Sequence, residues 1–289
     1  MNKPARIDKD PEESFENPYR DLYIYYLKGR FKRMAPSPGK GFIGNWQENE
    51  YSFLFFSKPS SDEVARILHS NPDLTFLEEF HMTYDQWQGS KIEPFTVGRF
   101  HIVPPWQRHK MKKIRCHGEL IILLDPGVVF GNGLHTTTRD CIKALETVFL
   151  RDHIESAVDF GTGTGILALA ASLLGCSKIL AVDLNFLAVS TALRNIRLNG
   201  LENRIVAAQG RAEDFIDAAS DLVIANIHYD VMKDLIVSRN FYNKKWFILS
   251  GLLRSQARSV RADLLSHRVN IINAWECDGI WHTLLGKKD

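Results

Sequence analysis

Ala157-Val158-Asp159-Phe160-Gly161-Thr162-Gly163-Thr164-Gly165 runs directly into the apolar segment Ile166 to Leu174. A short apolar strand, a turn carrying three glycines and an apolar helix follow one another without a spacer. Glycine belongs where the chain must turn tightly and where a missing Cβ lets a ligand approach the backbone. The stretch therefore predicts a nucleoside or dinucleotide site, with Gly161 and Gly163 in the loop that receives it. A dehydrogenase fingerprint is spaced GxGxxG. Here the third glycine comes one place early and Ile166 takes the position of the small residue, which argues against a nicotinamide cofactor.

Working downstream, Lys178 to Val182 reads as the next strand and ends at Asp183, about 20 residues past the loop. A carboxylate there accepts the hydroxyls of a ribose, which separates this pattern from a plain phosphate cradle. Arg204 to Ala208 is a third strand candidate. Glu213 and Asp214 just after it suit either an approach to a base or a solvated loop. Asp221 to Ala225 is a fourth, and Asn226 closes it. A polar side chain at the C-terminal end of such a strand faces the ligand crevice, although an Asx turn capping the next helix is the plainer reading. The alternation of strands and helices from Ala157 onward predicts an open, mostly parallel sheet covered on both faces.

Working upstream, Tyr51 to Phe56 and Thr75 to Tyr84 read as strands around a short helix whose apolar face is Val64, Ile67 and Leu68. Ser60, Ser61, Asp62 and Glu63 look like a capping box opening that helix. This β-α-β segment suits a small α+β domain, and Trp87 to Pro94 reads as a linker. The expected division is residues 1–89 for a tail and substrate-recognition domain, and 90–289 for the cofactor domain. Phe100 to Val103 and Glu119 to Leu124 read as strands flanking a basic run from Arg108 to Arg115, either a solvated hairpin tip or an RNA contact. The first residues, rich in proline and charge, read as a poorly ordered tail.

The 289 residues suffice for one large domain and a small companion. A formal charge of +2 does not by itself imply nucleic acid. Cys116, Cys141, Cys176 and Cys277 show no metal-ligand spacing, so no structural zinc is expected and a reducing cytoplasm is. No apolar run has the length of a membrane span, and the polar start does not read as a signal peptide.

From Leu124 the sequence reads LDPGVVFGNGLHTTT to Thr138. This resembles the PrmA family, the methyltransferases of large-subunit ribosomal protein eleven, whose pattern there is LDPGxAFGTGxHPTT. The likeness continues through Asp159 to Ala170, Asp183, Ala225-Asn226-Ile227 and Leu249-Ser250-Gly251-Leu252. It implies the seven-stranded class I methyltransferase sheet, S-adenosylmethionine as cofactor, and cofactor contacts at Thr138, Gly161, Asp183 and Asn226. Asn132 stands where the pattern has threonine and Thr136 where it has proline, so the loop over the cofactor is expected to differ in shape. The N-terminal part departs further, with little room between Arg20 and Arg33 for the first helix of the family's β-α-β-β-α-β substrate domain.

The resemblance implies methylation of amines, lysine side chains or an N-terminal α-amine, and no stable binding of nucleic acid is expected; the composition reads as a cytoplasmic protein, and the chemistry of a sulfonium donor needs no metal. Methyl transfer from a sulfonium is an in-line displacement, so alignment is the main task, with Asn226 as the candidate that orients the acceptor amine. Asn226 is followed by Ile227, His228 and Tyr229 and not by the Pro-Pro-Tyr of many enzymes that methylate amide or base nitrogens. His135 reads either as a general base or as a structural hydrogen-bonding residue of its glycine-rich loop. The competing readings are an RNA methyltransferase using the basic run, a nicotinamide dehydrogenase, and a module that binds the cofactor without chemistry.

Overall fold

In a computed structural model the described residues are 17–31, 39–113 and 118–289. The proposed tail before Asn17 and the end of the basic run therefore lie outside them. Successive side chains of a strand point to opposite faces, and the N-terminal sheet is built on that alternation. Its strands are β1 (Asp21–Lys28), β2 (Phe42–Glu48), β3 (Tyr51–Phe56) and β4 (Thr75–Thr83), in the order β2-β3-β1-β4 and all antiparallel. Tyr25, Leu27, Leu54 and Phe56 point to one face and pack under α1 (Ser61–Ser70), through Val64 and Ile67. Leu22, Ile24 and Phe55 point to the other face and join Val128, Val129, Leu187 and Ala188 of the later chain in one core.

Three local expectations change. The capping box at Ser60 does not form, because the Ser60 hydroxyl donates to the Lys58 carbonyl and Glu63 pairs with Arg66. A capping box forms instead at Thr83 and Gln86, opening α2 (Tyr84–Gln88), which takes up the first two residues of the expected linker. The hairpin expected around the basic run is absent. β6 (Phe100–Val103) pairs antiparallel with β5 (Phe95–Val97) and parallel with β7 (Leu120–Leu123), so the chain crosses over between β6 and β7. Phe100, Ile102 and Ile122 of these strands enter the same core as α3 (Thr136–Arg151), and parallel strands need a crossover where antiparallel ones need only a short turn.

The large sheet comprises β8 (Ser156–Phe160), β9 (Lys178–Asp183), β10 (Ile205–Gln209), β11 (Leu222–Asn226), β12 (Trp246–Leu253), β13 (Val269–Cys277) and β14 (Trp281–Lys288). Their order is β10-β9-β8-β11-β12-β14-β13, with β14 antiparallel to both neighbours and the rest parallel. This is the expected seven-stranded, mostly parallel α/β sheet. Its strands read as near-continuous apolar runs because both faces are buried. Ala157, Ile179, Ile224 and Ile248 face α3 and α4 (Ile166–Leu173), whose Leu145, Val148 and Leu169 are fully covered. Val158, Val182, Val223 and Leu249 face α6 (Tyr229–Ile236) and α7 (Arg254–Ser266) through Met232, Leu235, Val260 and Leu264. Each such aliphatic side chain contributes about 1.5–3 kcal/mol on burial. α5 (Phe186–Leu198) joins β9 to β10.

Candidate active site

The strand order reverses between β8 and β11, which run side by side while their connections leave in opposite directions. Ligands of open α/β sheets bind in that crevice, outside the carboxyl ends of the strands. The glycine loop sits there. Gly161, Gly163 and Gly165 all have positive φ, at 68°, 55° and 85°. A Cβ on Gly161 would lie 2.2 Å from Ile227, and one on Gly163 would lie 2.5 Å from the Phe130 carbonyl oxygen. The missing side chains therefore let the loop lie against its two neighbours.

Asp183, at the end of β9, is held by that loop. Its Oδ2 accepts the Gly163 amide at 3.0 Å and its Oδ1 accepts the Asn185 amide at 2.9 Å. Each oxygen keeps a lone pair for a diol. Burial raises its pKa above the ordinary carboxylate value, against the two amides. Asp159 on the adjacent β8 was not singled out from the sequence. It is fully buried, accepts the Thr162 hydroxyl at 2.6 Å, and burial pushes its carboxyl up to about 7.

Asn226 closes β11, and its amide nitrogen lies 3.5 Å from the Thr138 hydroxyl. That separation is the outer limit of a hydrogen bond. Thr138, in the first turn of α3, is buried, and its hydroxyl faces the Asn226 side chain. Thr138 and Asn226 thus lie together and Gly163 and Asp183 together, with Gly161 between them, its amide on the Val182 carbonyl and its backbone beside Ile227. His135 is the N-cap of α3: its Nδ1 lies 2.7 Å from the Thr137 hydroxyl and accepts the Thr137 amide at 3.4 Å. Burial lowers its pKa, which suits a neutral ring accepting through Nδ1. Glu213 is half-buried and paired with Arg211. Of the basic run, Lys110 is paired with Glu93 at 2.7 Å.

The segment from Asp125 to Leu134 forms the other wall. Thr164 donates its amide to the Phe130 carbonyl at 3.2 Å and its hydroxyl to the Gly131 carbonyl at 2.6 Å. Asn195, fully buried on α5, bonds both the amide and the carbonyl of Asp125 and also the Thr164 carbonyl. An amide side chain inside the apolar stripe of Ala188, Ala192 and Ile196 is the signal by which sequence could have found it. Among the described residues no group of three or more His, Cys, Asp or Glu is arranged to hold a metal, and no helix is long and apolar enough to cross a membrane.

The family model for ribosomal protein L11 methyltransferase, PrmA, matches residues 67–289. The chain belongs to this family. A family member from Alkaliphilus oremlandii is 31% identical over 246 residues, 79% of this chain and 76% of that protein. One from Staphylococcus aureus is 35% identical over 207 residues, 71% of this chain and 64% of that protein. The chain thus spans just under two-thirds of the Staphylococcus aureus protein. The crystal structure of the ribosomal protein L11 methylase of Lactobacillus delbrueckii superposes with a TM-score of 0.58 at 26% identity, over 68% of this chain and all of that one. The PrmA family is one of protein N-methyltransferases of the class I, Rossmann-like fold, and its methyl donor is S-adenosylmethionine. The crevice fits that group: a loop without Cβ atoms at its turns, an acid held by that loop with lone pairs to spare, and exposed Leu184 and Phe186 beside that acid.

Proposed function

We propose that this chain methylates amine nitrogens of large-subunit ribosomal protein eleven, on lysine side chains or an N-terminal α-amine, with S-adenosylmethionine bound at Gly161, Gly163, Asp183, Thr138 and Asn226. The observation that carries the reading is the convergence of Asp183 and the glycine loop on one side of the crevice with Asn226 on the other. S-adenosylmethionine supplies a methyl group on a sulfonium, whose thioether leaves readily. The chain's own task is then to hold donor and nucleophile in line and to receive a neutral amine. A lysine amine is a nucleophile only when deprotonated, and its ordinary pKa of about 10.4 makes desolvation useful. Asn226 offers the amine a carbonyl acceptor without acting as a base.

The division near Gly89 assigns residues 1–89 to substrate docking and 90–289 to the cofactor. The basic run favours RNA less, since Lys110 is engaged by Glu93. The test is incubation with labelled S-adenosylmethionine and either the purified ribosomal protein or ribosomal RNA. Label on lysines or the N-terminus of the protein is the expected result. Label on RNA alone, or on neither, would overturn the assignment.

A further inference from the structure

Gln88, the last residue of α2, stands one residue before the proposed domain boundary, yet both ends of its side-chain amide reach the wall of the cofactor crevice. Its Nε2 donates to the Gly127 carbonyl at 2.9 Å, and its Oε1 accepts the Asn132 side-chain amide at 3.0 Å. One amide therefore ties the two ends of the segment 127–132, with its nitrogen donating at one end and its oxygen accepting at the other. The Gly127 carbonyl also accepts the Tyr84 hydroxyl at 2.8 Å, so both of its lone pairs are taken by α2. Burial and the nearby Asp125 carboxylate raise the Tyr84 phenol's pKa, which keeps it a donor.

What this loop touches gives the contact its meaning. Between its two tied ends lie Phe130 and Gly131, whose carbonyls accept the Thr164 amide and hydroxyl. The Phe130 carbonyl oxygen is also the atom that a Cβ on Gly163 would strike. The ligand loop thus rests on a segment whose two ends are held from the substrate side. Asn132 has a second constraint that fixes its direction, because its Oδ1 accepts the Leu134 amide at 2.9 Å. A threonine at this position, as in the family's pattern, is too short to do both.

We propose that Gln88 is a positioning residue that holds the 127–132 segment against the glycine loop, so that the affinity for S-adenosylmethionine depends on α2 of the substrate-side domain. The inference rests on the cofactor reading above. In the full-length chain, Gln88→Ala removes both bonds, whereas Asn132→Thr removes one and leaves α2 intact. Calorimetric titration with S-adenosylhomocysteine is expected to show Kd raised about tenfold in Gln88→Ala and about three- to fivefold in Asn132→Thr, from about 0.5–1.5 kcal/mol per hydrogen bond. In turnover the KM for S-adenosylmethionine should rise with kcat nearly unchanged. A Tm lowered in Gln88→Ala with Kd unchanged in both variants would make Gln88 a structural residue only and overturn the proposal. If Gln88→Ala does not fold, Asn132→Thr decides alone. Failure of the unaltered chain to bind S-adenosylhomocysteine would instead sink the cofactor reading, so the two failures are distinct.

Discussion

Asp159 and Asp183 occupy neighbouring strands and are both raised by burial, but they are held for different purposes. Asp183 faces the crevice, and Asp183→Ala is expected to weaken S-adenosylhomocysteine binding by about 1.5–3 kcal/mol, the range for a hydrogen bond to a charged group. Unchanged affinity by calorimetry in a folded variant would remove it from the site. Asp159 bonds inward, to Thr162. Its folded pKa of about 7 lies above the unfolded value of about 3.9, so the folded protein binds the proton more tightly. Its contribution is fully present below about pH 4 and is lost as pH rises through about 7, on the order of 4 kcal/mol in all. Asp159→Asn keeps the shape and removes the ionisation. Urea titrations from pH 4 to 8 should show a falling stability in the unaltered chain and a flatter profile in the variant; equal slopes would show that another group carries the effect.

At the scale of elements, the glycine loop is the most exacting turn of the chain. Gly163→Ala must place a Cβ against a backbone oxygen at positive φ, where no side-chain rotation relieves it. It is expected to cost about 1–2 kcal/mol for the left-handed conformation alone and to weaken cofactor binding, read by denaturant midpoint and calorimetry. A variant as stable as its parent would mean that the loop shifts freely. This loop, β8, β9 and β11 were legible in the sequence because buried parallel strands are apolar runs and their turns need glycine. β2 was not. Its residues include Gly44 and Asn45, types depleted in strands, yet a Cβ on Gly44 would lie 2.3 Å from Leu187 of α5, so the glycine is where a strand admits a side chain from another element. The same blindness hid Gln88 and Tyr84, whose partners lie some 40 residues away and leave no local pattern. The residues of a glycine turn are legible because the turn constrains its neighbours locally; contacts between elements far apart in the chain are not.

Across the whole molecule, the N-terminal sheet and the later chain share one apolar core, with Tyr19 and Tyr84 stacked at 4.7 Å among Val128, Val129 and Leu187. Removal of the residues before Gly89 would bare this surface and delete the bonds from α2. The truncated protein is expected to melt at a lower temperature and to bind S-adenosylhomocysteine no better than Gln88→Ala. Parental affinity in a soluble truncation would show that these residues do not support the cofactor site. The order of the strands has a further bearing on how the chain is made. The N-terminal sheet uses residues 21–83 alone and can close as soon as β4 has emerged from the ribosome. The large sheet cannot, because β14, made after β13, is the strand that lies between β13 and β12. Until Trp281 to Lys288 has been synthesised, β13 has nothing to pair with and β12 presents an open apolar edge of the kind that invites pairing with other chains. Translation interrupted before that point should therefore release a chain with a finished first sheet and an aggregation-prone second one, a hazard that falls away only with the last strand.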